Sequence, residues 1–135
     1  MQQGIIEKNH MDILWHDYAL NKEDTIPITK AGLIEKASVV GRCGMMLLSC
    51  GTGAWRVRSS MNTLSRELGI SCTADIGLMS IEYTCFDGEN CFSQSLCLTN
   101  TGVNTSKLNR LENFINDFPT KEKYLSGEQI HSYLD

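Results

Sequence analysis

The chain has 135 residues, with 12 basic against 16 acidic side chains and a formal net charge of −4. That length suits one domain with one core, able to remove roughly two-thirds of its unfolded surface from water. The mildly acidic balance lacks the clustered Lys and Arg that phosphates reward, which argues against a nucleic-acid partner.

Residues 1–28 read as an N-terminal extension. Within it Met11 to Leu20 is expected to form a short helix, with Ile13, Leu14, Tyr18 and Trp15 seeking burial. Asn21 to Pro27 is a polar break. A single domain is expected over 29–135, with Thr29 as the N-cap of a first helix whose Leu33, Ala37, Val40, Gly44 and Leu47 recur at helical spacing up to Ser49. Gly41 and Gly44 cost that helix roughly 1 kcal/mol each relative to Ala, so close approach of a neighbouring helix is expected in return. The same stretch, Ala37 to Cys50, is too short for the about 20 apolar residues of a membrane span and carries Arg42.

Gly51-Thr52-Gly53 breaks this helix and starts the next, whose Val57, Met61, Leu64 and Leu68 form one stripe, with Gly69 at the left-handed C-terminal position. From Ser71 the period changes to two. Cys72 to Ile76 is a short strand, Gly77 a bend, and Met79, Ile81, Tyr83 and Cys85 alternate with Ser80, Glu82, Thr84 and Phe86 in a longer one. Asp87-Gly88-Glu89-Asn90 is a hairpin turn, and Cys91 to Thr99 returns with Phe92, Gln94, Leu96 and Leu98 on one face.

Asn104 or Thr105 caps a helix carrying Leu108, Leu111, Ile115 and Phe118, which Pro119 stops. Lys121 to Leu125 is a linker, and Ser126 with Gln129 forms the capping box of a last helix bearing Ile130 and Leu134. The elements together predict an α+β two-layer sandwich: a three-stranded antiparallel meander covered on one face by about four helices. A meander this short leaves edge strands to be paired or covered, so a homo-oligomer is expected.

Candidate chemistry is sparse. The turn at Thr52 and Gly53 precedes a helix N-terminus whose amides suit a carboxylate or phosphate, although a plain interhelical turn explains it better. Arg56 and Arg58 lie where the helix dipole disfavours cations, so an acid should compensate; Asp75 or Glu82 is expected to supply it as an ion pair. A sharper alternative has Arg56, Asp75 and Glu82 lining a polar pocket between helix and sheet. Paired acid and base carboxylates drawn from Asp75, Glu82, Asp87 and Glu89 are disfavoured, because Asp87 and Glu89 suit a hairpin turn for conformational reasons. No catalytic residue is assigned.

The six cysteines at 43, 50, 72, 85, 91 and 97 contain no Cys-x-x-Cys pair, and no His completes a zinc spacing. Neither metal nor cofactor is expected, and the thiols read as reduced, buried, small apolar groups in a cytosolic compartment. His10, His16 and His131 read as surface residues. Trp15 and Trp55 could face a partner, Trp55 more plausibly packing on its neighbour helix.

The ordered set of motifs resembles the soluble N-terminal domain of the threonine/serine exporter family. It is carried by Gly51 with Trp55-Arg56-Val57 and Met61, by Arg66-Glu67-Leu68-Gly69, by the run Asp75 to Cys85, by Asp87-Gly88, and by Thr101-Gly102-Val103-Asn104-Thr105. It covers roughly residues 30–135. Many members carry acids at the positions of Gly53 and Arg58, and this chain does not. The resemblance implies a domain at the cytoplasmic face of the cell membrane that assembles, gates or regulates a transmembrane region in the same or a partner protein, with the chain breaking off at Leu134-Asp135 where the family continues. It implies a small polar solute: threonine, serine or, in a related branch, a dicarboxylate. The rival expectations are a free-standing hydrolase of an amino-acid-like molecule, without a Gly-x-Ser-x-Gly elbow to support it, and a ligand-binding module.

Overall fold

The computed structural model describes residues 8–9, 13–19, 26–98, 102 and 104–135. Its elements are β1 (Lys8–Asn9), α1 (Leu33–Ser49), α2 (Ala54–Leu68), β2 (Ser71–Ile76), β3 (Ser80–Phe86), β4 (Cys91–Cys97), α3 (Thr105–Asp117) and α4 (Gly127–Leu134). Short 3-10 turns occupy Trp15–Tyr18, Ile28–Lys30 and Glu122–Tyr124.

The alternating run from Ser71 builds the expected antiparallel meander, an α+β fold. Asp75 pairs with Glu82 across β2 and β3, and Glu82 with Ser95 across β3 and β4. Ile81, Tyr83, Cys85 and Leu96 are buried under the helices, while Asp75, Glu82 and Phe86 are exposed on the other face. Gly77 opens the first connection, its N–H donating to the Ser80 carbonyl at 2.8 Å. The Asp87 carboxylate closes the second by accepting from Glu89 and Asn90 amides at 2.9 and 2.7 Å. One strand was not legible: β1 runs parallel to β4, Lys8 opposite Leu96, giving the order β1-β4-β3-β2. Two residues are too few to carry a period. At the other edge Arg58 Nε donates to the Ala74 carbonyl at 3.3 Å, occupying an acceptor that an edge strand would otherwise present.

α1 starts at Leu33 behind Gly32, not at Thr29. Thr29 sits in the preceding 3-10 turn, where Ile28 is fully buried and its N–H reaches the Leu125 carbonyl at 2.7 Å; docking of Ile28 overrides the capping preference of the threonine. Ala37 to Leu48 is buried on every side, so α1 is the central helix. The sheet lies against one flank, α2 packs along it, α3 rests on α1 and α2, and α4 rests on α1 and the Trp15–Tyr18 turn. Both glycines of α1 mark close approach, with different neighbours. A Cβ at Gly44 would lie 2.6 Å from Met61 Sδ of α2, as a helix pair predicts; a Cβ at Gly41 would overlap the Tyr83 ring of the sheet. α2 buries the expected Val57, Met61, Leu64 and Leu68 and ends on Gly69 at φ 76°.

Asn104 Oδ1 caps α3 by accepting from the Lys107 amide at 3.0 Å. Ser126 and Gln129 form the full capping box of α4. The linker before it holds a 3-10 turn with Glu122 buried. In the N-terminal extension the described segment is a single 3-10 turn, with Trp15 buried and Leu14 72% exposed, not the longer helix expected; Met11 and Leu20 lie outside the described residues. Of the six cysteines, Cys43, Cys50 and Cys85 are buried, whereas Cys91 is exposed and Cys72 and Cys97 are half-buried. Cys72 of β2 and Cys85 of β3 pair on the face under the helices while Cys91 and Cys97 of β4 lie on the other face, which a uniform core reading missed. No described helix is long and apolar enough to cross a membrane.

Candidate functional site

The residues singled out in the sequence do not converge. Thr52 is buried, and its Oγ1 finds no hydrogen-bond partner among the described residues; Gly53 is the exposed N-cap of α2. Arg56 is compensated from a different element than expected: its Nη1 meets Glu112 Oε2 of α3 at 2.7 Å, in an exposed pair. Asp75 and Glu82 sit side by side on the sheet face turned away from the helices. A pocket lined by Arg56, Asp75 and Glu82 is therefore not formed, because strand alternation sends both acids to the far side. Trp55 is 77% exposed and does not pack on its neighbour helix.

The concentrated chemistry lies elsewhere, where α1, α4 and the Trp15–Tyr18 turn meet. Glu35, Ser38 and Arg42 follow one another along one face of α1 at helical steps, and all three are buried. They meet α4 in order: the Glu35 side chain lies against Gly127, Ser38 Oγ is 2.9 Å from His131 Nε2, and Arg42 reaches the last turn. Arg42 Nη1 donates to the His131 carbonyl at 3.0 Å and to its Nδ1 at 3.2 Å, while Nη2 donates to Asp135 Oδ1 at 2.7 Å. The Arg42 guanidinium also stands 6.0 Å over the Trp15 ring.

These contacts fix the His131 tautomer. Ser38 Oγ gives its own proton to the Glu35 carbonyl at 2.6 Å, so Nε2 carries the hydrogen donated to Ser38 and Nδ1 accepts from Arg42. His131 is fully buried; burial first, and the Arg42 guanidinium second, hold its pKa down at about 3. Neighbouring His16 behaves oppositely. Its Nε2 lies 2.8 Å from Asp135 Oδ2 and its Nδ1 3.1 Å from Glu128 Oε1, and these bonds, Asp135 first, raise its pKa. Burial works to raise Asp135, but hydrogen bonds from Arg42 and His16 outweigh it and bring the carboxyl below its ordinary value.

The Ser38–His131 contact has the separation of a nucleophile and its base but not the arrangement. The serine proton points to a carbonyl, the imidazole faces a cation where a triad places a carboxylate, and both side chains are sealed from solvent. Beside this network opens a cleft of about 440 Å³ lined by Ile13, Trp15, His16, Arg42, Lys107 and Asp135 among others. A second hollow of about 310 Å³ shares Lys107 and Asp135 with it and adds Arg110 and Tyr133. No group of His, Cys, Asp or Glu among the described residues could hold a metal ion.

His131 thus corrects the surface reading, whereas His16 stays partly exposed and His10 lies outside the described residues. His131 carried a signal: Gly127, Ile130, His131 and Leu134 fall at spacings of three, one and three, which is a buried helical stripe. Arg42 carried another, as the one charge in the run Ala37 to Cys50 needs buried partners.

No curated protein and no solved structure matches the chain. The model of the family described as "Putative threonine/serine exporter" matches residues 38–135, from the start of the Ser38–Arg42 stripe through α4, and the chain belongs to this family.

Proposed function

We propose that this chain is the cytosolic domain of a threonine/serine exporter and that it assembles, gates or regulates a transmembrane unit rather than forming the permeation path. The family match over residues 38–135 carries this reading, and the absence of a membrane-length apolar helix among the described residues supports placing the path elsewhere. The helical layer supports a regulatory role: α4 is joined to α1 and to the N-terminal turn through charged contacts, so a change at one element alters the seating of the others. No bond-breaking step is assigned to the chain, in keeping with the orientation of Ser38 and His131.

The test is export itself. Cells carrying the transmembrane unit and loaded with a threonine dipeptide should release threonine when this chain is present and lose most of that release when it is removed, with the membrane unit still inserted. Undiminished release without the chain, or turnover of a metabolite by the purified chain alone, overturns the proposal.

A further inference from the structure

The cleft beside Arg42 has a charge arrangement that its structural role does not use up. Arg42 spends three N–H groups on His131 and Asp135, leaving two of its five donors free. From α3 Lys107 joins the same lining, and Arg110 lines the adjoining hollow; neither charged end forms an ion pair among the described residues. Asp17 and Asp135 place carboxylates on the same lining, Asp135 with one lone pair of each oxygen already engaged by Arg42 and His16, and Met46 and Leu134 supply apolar floor. A volume of about 440 Å³ exceeds the needs of a molecule of under ten heavy atoms, which leaves room for water around the charged groups.

We propose that this cleft binds a small free amino acid as its zwitterion: the carboxylate on Lys107 and the spare donors of Arg42, the ammonium on Asp17 and Asp135, and the short side chain over Met46 and Leu134. Cations alone would favour a dicarboxylate or phosphate; the two acids in the same lining repel a second negative charge and select a ligand bearing both signs. The choice of threonine as probe rests on the exporter reading, whereas the demand for both charges rests on the lining alone. The site is separate from the Thr52-Gly53 turn, which lies at the start of α2.

Calorimetric titration of the purified chain with threonine, propionate, ethanolamine and inorganic phosphate tests this. Threonine should bind, and each single-charge probe should bind at least about tenfold more weakly, as expected for loss of one charge-assisted contact. Lys107→Ala should weaken threonine by a similar factor with the circular dichroism spectrum unchanged, Lys107→Arg should restore part of it, and Arg56→Ala should leave it alone. Silence at about 10 mM threonine, equal binding of propionate or phosphate, or unaltered affinity in Lys107→Ala overturns the proposal. Normal export from cells carrying Lys107→Ala together with silent titrations would refute the cleft and leave the exporter reading standing.

Discussion

Acidification should expose the cost of burying His131 as a neutral ring. Its pKa falls from 6.5 to about 3 on folding, so between these values the unfolded chain binds the proton and the folded chain does not. Stability from this group is fully present above pH 6.5 and is lost as pH falls through that window, at up to about 1.4 kcal/mol per pH unit. At about pH 4.5 the loss amounts to about 3 kcal/mol, a large share of the stability of a domain this size. His16 works the opposite way, alike in parent and variant, and only above that window. Its folded pKa is raised, so its contribution is complete below pH 6.5 and is lost only as pH rises through the folded value. Asp135 is shifted downward from 3.8, so its loss falls mainly below that value. Urea unfolding at about pH 7.5 and about pH 4.5, on the parent and on His131→Gln, isolates the term. The glutamine amide can keep the bond to Ser38 while removing the titration, at a cost of about 1–2 kcal/mol at neutral pH. The variant should then lose far less stability on acidification than the parent. Equal losses in both would refute the assignment.

Two further outcomes follow from packing and exposure. Gly41→Ala should destabilise by about 1–3 kcal/mol, read as a lower urea midpoint, because the new methyl overlaps the Tyr83 ring, whose hydroxyl is fixed 2.7 Å from Gln94 Oε1; a raised midpoint, the result of helix propensity alone, would show that Tyr83 yields freely. Iodoacetamide at about pH 8, mapped by mass spectrometry, should label exposed Cys91 and half-buried Cys72 first, the latter helped by a pKa that the Cys85 thiol lowers through a hydrogen bond. Cys43, whose thiol burial pushes up to about 12, should react only on unfolding; its early labelling would contradict the packing of α1.

What the sequence disclosed was local. The stripe of α2 lies within about three turns of one helix, and the Asp87 turn and the Ser126 box within about one turn of chain each, and the structure reproduces them. What it concealed joins residues far apart. Arg56 finds Glu112 56 positions away, Ser38 and Arg42 find His131 and Asp135 across 89 to 93, and His16 finds Asp135 across 119. No periodicity encodes such partners. Asp75 and Glu82 were misplaced for a related reason: alternation fixes that they share a face, but only the packing of Tyr83 under α1, its hydroxyl 3.1 Å from the Ala37 carbonyl, decides which face is inside.

The same network explains how α4 exists. A helix of eight residues is not stable alone in water, since nucleation costs more than so few bonds return. α1 supplies the difference with one polar stripe that complements both ends. Glu35 brings a carboxylate to the N-terminal Gly127, where the helix dipole is positive, and Arg42 brings a guanidinium to the His131 carbonyl and Asp135, where it is negative. Glu35 meets residue 127, Ser38 residue 131 and Arg42 residue 135, so the two helices run parallel in register, and the N-terminal turn clamps the far end through His16. Apolar burial of Ile130 and Leu134 gives α4 its adhesion, while the charged stripe gives it one position along α1. Shifting α4 by a turn would leave Arg42 buried without its carbonyl and carboxylate, and that penalty is what couples the N-terminal segment, the central helix and α4 into one unit.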